Sequence, residues 1–370
     1  MTVFKKRMVI LIVVLVMLFA VSVTGCGQQE EVQKNAEPEK KVEENTAKEP
    51  SPVKEEKIVL KLAHSFPESH YLAKEGGIWW AERVKELTNG KVDFEYYPAE
   101  QLGKANKLLD VVKNKVAAVA YVGVGYYSDK LPLSTVGQLP GNYNTSKEGS
   151  RAYWKVIKDT LIEKEFLPNK IRPVFAAVLP PYQIVTMDKK FNSLDDLKGL
   201  KIRTGGVQSL LVEAAGGAPV SMPATEIYTG MQRKTLDGTL LPFTSFKPYQ
   251  VEKIVQYSTS NVNMGTFAVT YAINEDVWQS LPEDVQQAML QAGEETIDHM
   301  SEYQDANISE LGAEFKDAGI DIYEVDSDTL DTLNAKLAPV MANWAKQLDD
   351  KGLAGTEVLD AFEKAVEDVK

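Results

Sequence analysis

Residues 58–97 read IVLKLAHSFPESHYLAKEGGIWWAERVKELTNGKVDFEYY, and this stretch decides the fold class. Its first segment, Ile58–Ala63, is apolar and rich in β-forming side chains, which predicts a strand. Apolar residues then recur at helical spacing through residues 76–88, until an Asn-Gly pair ends the helix, and Val92–Tyr97 alternates as a second strand. Strand, helix and strand at this spacing predict a βαβ unit, and therefore a parallel sheet with helices on its faces.

A separate set of α/β signals occupies the second half of the chain. It begins after the proline pair at residues 180–181, because two prolines cannot continue a central strand or a helix. Residues 183–187 and 200–203 are predicted to be strands, and residues 209–215 a helix. With 370 residues, the chain is long enough for two lobes at roughly 100 to 200 residues per domain.

Apolar residues beyond Pro282 recur at helical spacing as far as Ile308, with no helix breaker before Gly312. This pattern predicts one long helix or a kinked pair, which at about 1.5 Å per residue can brace both lobes. The expected lobes are residues 58–180 with 265–308, and residues 181–264 with 309–370.

The amino-terminal segment has the pattern of an export signal. Basic residues precede an apolar run at residues 8–20, which is short for a membrane-spanning helix. The tetrapeptide VTGC that ends at Cys26 resembles the lipobox of bacterial lipoproteins, with valine where leucine is more usual. We expect residues 1–25 to be a lipoprotein signal peptide and Cys26 to carry the lipid; an uncleaved signal anchor is the alternative. Residues 26–57 are mostly Gln, Glu, Lys and Pro, which predicts a flexible linker.

Composition excludes several classes of function. A formal net charge of -12 argues against a nucleic-acid partner, because phosphate binding needs clustered Lys and Arg. Cys26 is the only cysteine, so neither a disulfide within the chain nor a cysteine metal cluster can form. The sequence also lacks a nucleophile elbow, a Walker loop, a zinc-protease helix motif and a dinucleotide turn. We therefore expect no enzymatic activity, no cofactor and no metal.

The strand predicted at residues 200–203 ends in Arg203, and Thr204-Gly205-Gly206 leads from it into the next helix. In open α/β sheets, ligands bind outside the carboxyl ends of the strands. A guanidinium there can offer two parallel N–H donors to a carboxylate, and a glycine-rich turn lets backbone amides approach the same anion. Arg203 and Gly205 are therefore candidate anion-binding residues, although a solvated arginine fits the local pattern equally well.

Several segments resemble one family of receptors. Residues 216–238 combine GGAPV, a Met-Pro pair and LDG, and further matches are LAH at residues 62–64, QLG at 101–103 and NEDVWQSLP at 274–282. In their order along the chain, from about residue 58 to residue 300, they resemble the solute receptors of tripartite ATP-independent periplasmic (TRAP) transporters, the DctP-like family.

This resemblance implies a two-lobed, periplasmic-binding-protein-like α/β fold with a ligand enclosed between the lobes. It implies delivery of that ligand, a small organic anion, to membrane subunits that use an ion gradient. Arg203 matches the family's carboxylate-binding arginine. We expect the hinge strands near residues 178–181 and 263–266, and an extracytoplasmic protein anchored to the cell membrane by a lipidated Cys26.

The chain departs from the well-known dicarboxylate and sugar-acid receptors of this family at two positions. Gln183, a further candidate ligand contact, stands where a second arginine is common, and Leu241 stands near a position that is often polar. The loss of these polar partners favours a monocarboxylate with an apolar or aromatic body.

Aromatic residues are expected to cluster where the lobes face each other, and such a group can form a flat apolar pocket wall. They are Tyr121, Tyr126, Tyr127, Tyr182, Phe243, Phe246 and Tyr249. We single out Tyr126, Tyr182 and Phe243 as ligand contacts, although each taken alone fits a core position. His64 and His70 flank one loop and could meet at the cleft, so His64 is a further candidate; surface histidines are the alternative.

Two other functions use the same pocket. The chain could report a bound ligand to a membrane kinase, or serve an ATP-driven transporter, which the segments around Arg203 and Asp237 resemble less. Neighbouring genes for a small and a large membrane subunit would favour the TRAP transporter.

Overall fold

The computed structural model describes residues 57–141, 143 and 145–370. The predicted signal peptide, Cys26 and almost all of the predicted linker lie outside the described residues. Within the described part, no helix has the length and apolar character required to cross a membrane.

Eleven strands occur in the described residues and form two sheets. In chain order they are Ile58–Ala63 (β1), Val92–Tyr97 (β2), Val119–Gly123 (β3), Ile171–Val178 (β4), Gln183–Thr186 (β5), Lys201–Thr204 (β6), Ala218–Ser221 (β7), Gly238–Leu241 (β8), Tyr257–Thr259 (β9), Ala268–Asn274 (β10) and Asp321–Tyr323 (β11).

The α-helices cover the sheets. In chain order they are Trp79–Leu87 (α1), Leu108–Lys113 (α2), Ser146–Val156 (α3), Gln208–Ala214 (α4), Ile227–Gln232 (α5), Glu275–Ser280 (α6), Glu283–Asp317 (α7), Ser327–Asp349 (α8) and Gly355–Val369 (α9). Wider helical turns at Leu72–Ile78 and Ile157–Phe166 extend α1 at its start and α3 at its end.

The first sheet has the strand order β2-β1-β3-β10-β4. Its β1 lies parallel to β2 and β3, so the βαβ unit predicted from the sequence is confirmed. Leu60 and Leu62 are buried whereas Val59 is 52% exposed, because successive side chains of a strand point to opposite faces. The returning strand β10 lies antiparallel to β3 and β4.

The second sheet has the order β11-β9-β5-β8-β6-β7. Here β6 is parallel to both β7 and β8, and β5 is antiparallel to β8 and β9. The carboxyl end of β6 is therefore a buried, parallel part of the sheet, and Arg203 lies there.

The expected long helix is continuous. It is α7, with 35 residues, which contacts α1 and β4 beside the first sheet and β11 of the second. Gly312 does not end it; a Cβ added at Gly312 would stand 3.2 Å from the ring of Phe243, so the glycine allows a close approach. The α/β fold with two lobes and a bracing helix is thus confirmed.

The strands within residues 58–180 and 265–308 all belong to the first sheet, and the last helix of the chain also lies on that side. α8 contacts α4 of the second sheet, whereas α9 packs against α3 on the first. Residues 355–369 therefore contact lobe 1, although the sequence placed the whole of residues 309–370 in lobe 2. A surface pattern of charges cannot tell which lobe a terminal amphipathic helix joins.

The two expected hinge segments run side by side between the sheets. The Leu179 amide donates to the Phe267 carbonyl at 3.0 Å, and the Tyr182 amide donates to the Gly265 carbonyl at 2.9 Å. The Met264 amide returns a hydrogen bond to the Tyr182 carbonyl at 3.1 Å. These paired segments connect the two sheets, and their role as a hinge stays a prediction.

Candidate functional site

Arg203 is the strongest candidate for a binding residue. It is 0% exposed, and its strand places it between Val220 of β7 and Thr239 of β8. Nε donates to the carbonyl oxygen of Met222 at 2.9 Å. Both terminal nitrogens, Nη1 and Nη2, are buried and have no hydrogen-bond partner among the described residues. An unpaired buried charge is costly, and both of these nitrogens are available to an anion.

Gly205 leaves space beside the guanidinium. A Cβ at this position would stand 3.4 Å from Nη2 of Arg203 and 2.9 Å from the ring of Phe267. Its amide already donates to Oε1 of Gln208 at 3.0 Å, and its carbonyl accepts from Nε2 of Gln138 at 3.3 Å. The expectation that this amide approaches the anion is therefore wrong, because a glutamine side chain three residues later uses it; the glycine acts through its small size.

Two tyrosines lie within range of the charge of Arg203. Burial raises the pKa of Tyr182 and of Tyr249 well above the usual value, while the nearby Arg203 acts in the opposite direction on each pKa. Both hydroxyls are therefore neutral at physiological pH. Tyr182 as a ligand contact stays a prediction, and a buried tyrosine ring can offer an apolar face with a polar end.

Tyr126 belongs to the first lobe and reaches the second. Its hydroxyl oxygen accepts a hydrogen bond from the Ala224 amide at 3.1 Å. Its ring packs on Phe267, with the two ring centroids 4.9 Å apart. Tyr126 thus lies where the lobes meet, and its role as a ligand contact stays a prediction.

His64 and His70 are buried, at 0% and 2% exposed, so neither is a surface histidine. Both stack around Phe66, with centroid distances of 6.2 and 4.5 Å. Burial lowers the pKa of His64 to about 4, and burial together with His64 lowers the pKa of His70 to about 3. The Phe66 backbone acts in the opposite direction on His64, but without hydrogen-bonding geometry. Both rings are therefore neutral at pH 7.

The histidine loop faces the second lobe. The ring of His70 meets the ring of Tyr249 edge-on, with centroids 5.2 Å apart. The hydroxyl of the adjacent Tyr71 lies 3.4 Å from Oγ of Ser245. Tyr249 therefore contacts the histidine loop, and the charge of Arg203 opposes the effect of burial on its pKa.

Backbone contacts hold the lobes together near the site. A Cβ added to Gly206, at φ +68°, would stand 2.7 Å from Cα of Gly125 in the other lobe. A groove of about 290 Å³ opens next to Tyr249. Both lobes line it, with Ser65, Phe66 and Pro67 from the first, and Thr225, Tyr228, Thr229, Pro248, Tyr249 and Gln250 from the second.

Gln183 is not placed as a ligand contact. Its Nε2 donates to the Val262 carbonyl at 2.9 Å and more weakly to the Pro181 carbonyl at 3.4 Å. Its Oε1 accepts from Oγ1 of Thr259 at 3.0 Å and from the Val262 amide at 3.3 Å. All the hydrogen-bonding capacity of the amide is used within its own lobe. The residue fixes a neighbouring loop.

Phe243, a second predicted ligand contact, packs against other aromatic residues of its own lobe and α7. Its ring is 5.5 Å from that of Phe246 and 6.5 Å from that of Phe315 on α7, so it packs the second lobe against the long helix. None of its described ring contacts involves Arg203 or the histidine loop.

Phe267 was not predicted from the sequence as a site residue. Its ring touches that of Tyr126 and stands beside Gly205. Its position directly after the second predicted hinge segment could have indicated that it lies between the lobes.

Comparison with known proteins identifies the family. Residues 62–347 match the family described as bacterial extracellular solute-binding protein, family 7, also called DctP. The chain is 26% identical over 291 residues to the outer membrane transporter protein TsaT of Comamonas testosteroni, which covers 76% of this chain and 84% of the relative.

Solved structures have the same fold. A TRAP solute-binding protein from Rhodoferax ferrireducens, solved with copurified benzoate, is 22% identical and has a TM-score of 0.78, covering 84% of this chain and 98% of that chain. A TRAP periplasmic solute-binding protein from Bordetella bronchiseptica, with bound (R)- and (S)-mandelate, is 20% identical and has a TM-score of 0.77, covering 85% and 100%. The chain therefore belongs to the DctP family of extracellular solute-binding proteins and is a receptor of the TRAP type.

Proposed function

We propose that this receptor binds a small monocarboxylate with an aromatic or apolar body. The carboxylate pairs with Arg203, and the body of the acid lies among the rings of Tyr126, Tyr182 and Tyr249. The observation that carries the proposal is the pair of buried, unpartnered terminal nitrogens of Arg203. Two parallel N–H donors match the two oxygens of one carboxylate.

Charge balance favours one carboxylate rather than two. Arg203 is the cation at the site, and the histidines of the opposite lobe are neutral at pH 7, since burial holds their pKa values at about 4 and about 3. A second carboxylate would therefore be buried without a countercharge, which is costly. The benzoate and the mandelate bound by the two structural relatives, both monocarboxylates with one ring, support this choice.

Delivery follows from the receptor class. The protein works outside the cytoplasm, and we propose that it passes the acid to the membrane subunits of a TRAP transporter. Lobes formed by residues 58–180 with 265–308 and by residues 181–264 with most of the remainder close on the ligand. We also propose that residues 1–25 are removed and that a lipid on Cys26 holds the protein at the membrane. Cys26→Ser should move it from the membrane fraction to the soluble fraction; unchanged membrane association would contradict this.

We propose no catalytic step. A carboxylate held by one arginine between neutral rings is bound and released rather than converted. Incubating the protein with a bound acid and analysing the mixture by mass spectrometry should return the acid unchanged; turnover would contradict the receptor proposal.

Identification of the ligand tests the proposal. Denaturing extraction and mass spectrometry should recover a monocarboxylate that copurifies with the protein. A thermal-shift panel should show higher melting temperatures with aromatic monocarboxylates than with succinate or with uncharged amides of the same acids, because binding to the native state raises the melting temperature. Equal shifts with the amides would overturn the role assigned to Arg203.

A further inference from the structure

The first loop of the first lobe contains a group of unpartnered polar atoms. Nδ1 and Nε2 of His64, Oγ of Ser65 and Nε2 of His70 are all buried and have no hydrogen-bond partner within the described residues. Buried side-chain polar atoms are satisfied in the large majority of cases, so four such atoms on one loop require an explanation. Arg203 presents the same condition on the opposite lobe.

The tautomer of His70 is set by its own backbone. The Leu72 amide donates to Nδ1 of His70 at 3.1 Å, so Nδ1 is the unprotonated nitrogen of this neutral ring. The proton therefore resides on Nε2, which is a hydrogen-bond donor without an acceptor. A neutral His64 supplies one donor and one acceptor, and the hydroxyl of Ser65 can supply either.

Aromatic rings from both lobes pack around this loop. Phe66 lies between the two histidines, and its ring is 4.6 Å from that of Tyr121. His70 also meets the ring of Tyr249 in the second lobe, and the charge of Arg203 lowers the pKa of that tyrosine, against the larger effect of burial. The neutral polar group belongs to the first lobe and the cation to the second, and Tyr249 contacts the first group across the boundary.

We propose that His64, Ser65 and His70 form a neutral subsite that hydrogen-bonds a hydroxyl group on the ring of the bound acid. This inference rests on the proposed function, because it requires the carboxylate of the same acid to pair with Arg203. A hydroxyl suits the subsite because it can both accept from Nε2 of His70 and donate to a nitrogen of His64. The preferred ligand class is then the hydroxylated aromatic monocarboxylates.

The subsite also gives a physical reason for ligand-dependent closure. A hydroxy acid contacts Arg203 on one lobe and the histidine loop on the other, so it stabilises the state in which the lobes meet. An acid without the hydroxyl leaves buried donors and acceptors unpaired in that state, which lowers its affinity.

Isothermal titration calorimetry of the full-length protein at pH 7 tests the subsite. The ligands are benzoate, meta- and para-hydroxybenzoate and isophthalate, each titrated into the wild type, His70→Phe, His70→Gln and Arg203→Gln. We expect at least one hydroxybenzoate to bind about tenfold more tightly than benzoate. This advantage should be lost in His70→Phe and partly restored in His70→Gln, which retains an N–H donor. Isophthalate should bind more weakly than the hydroxybenzoate.

The outcomes separate the two claims. Equal affinity for benzoate and both hydroxybenzoates, with all three lost in Arg203→Gln, would overturn the histidine subsite and leave the proposed function standing. Isophthalate binding as tightly as the better hydroxybenzoate would likewise overturn the neutral subsite. Acid binding that survives Arg203→Gln unchanged would overturn the proposed function itself. If His70→Phe does not fold, the wild-type ligand series alone decides the question.

Discussion

Arg203 and Arg172 each stand near the end of a strand, yet only the guanidinium of Arg172 has a carboxylate partner among the described residues. Arg172 of β4 donates from Nε and Nη2 to the two carboxylate oxygens of Glu275, at 2.8 and 2.9 Å, and its guanidinium lies 5.7 Å from the ring of Trp278. Arg203 has one backbone acceptor and two buried nitrogens without a described partner. The fold supplies a carboxylate to Arg172 and none to the terminal nitrogens of Arg203 within the described residues, which is the difference that our proposal for Arg203 depends on.

The largest effect on acid binding is expected from substitution of Arg203. Arg203→Gln should weaken acid binding at least about 30-fold, because removal of one partner of an enclosed charge pair costs about 2–5 kcal/mol. Its melting temperature without ligand should not fall, since an unpaired buried charge is removed. Arg203→Lys should also bind weakly, because an ammonium lacks the planar fork.

Arg172→Gln is the matched control for these titrations. It should lose about 1 kcal/mol of stability while the affinity stays unchanged, since its ion pair is partly exposed and lies within one lobe. Equal losses of affinity in Arg203→Gln and Arg172→Gln would remove the distinction between the two arginines.

The second prediction extends the comparison to the buried histidines. Folding depresses the pKa of His64 to about 4 and that of His70 to about 3, so the unfolded chain, with a pKa near 6.5, binds more protons below that pH. The free energy of unfolding should therefore fall as the pH drops below 6.5, by about 2 kcal/mol per histidine at pH 5. Urea denaturation at pH 7 and pH 5 measures it, and His70→Phe should lose about half of the dependence. A flat profile would show that these rings are accessible to water.

The third prediction concerns the contact between the lobes. Gly206→Ala places a methyl group against the backbone of Gly125, so we expect about tenfold weaker binding and a larger radius of gyration with saturating ligand. Gly199→Ala is the control, since its φ of +76° carries similar strain but nothing lies within 4 Å of the added Cβ. It should lose stability without losing affinity. Small-angle scattering and calorimetry measure both quantities. Equal affinities and equal radii of gyration for Gly206→Ala and Gly199→Ala would contradict the role of the Gly206–Gly125 contact in closure.

The smallest effect separates two neighbouring tyrosines. Tyr126→Phe leaves the Ala224 amide without its acceptor in the other lobe, which should weaken ligand binding about fivefold. Tyr127→Phe loses bonds within one lobe, to the Leu109 amide and the Ala105 carbonyl, each at 3.0 Å. It should lower the melting temperature and leave the affinity intact. A fluorescence titration that gave both variants the same affinity would argue against Tyr126 as a closing contact.

Local patterns explain which parts of the molecule could be predicted. The strand that ends in Arg203 and the βαβ unit at residues 58–97 follow from periodicity and breakers, which act over a few residues. Gln183 shows what local patterns cannot predict. Its side-chain amide hydrogen-bonds Thr259 and Val262, more than 70 positions away, and no pattern around residue 183 indicates these partners. For the same reason, the contact of Phe243 with α7 and the burial of His64 required the folded chain.

A crystal structure of the receptor with a bound aromatic acid is the most direct test of the central claim. We expect both carboxylate oxygens within about 3.2 Å of Nη1 and Nη2 of Arg203, in a site closed by both lobes. A ligand seated between the lobes with its carboxylate away from Arg203, or Arg203 turned into solvent, would contradict it.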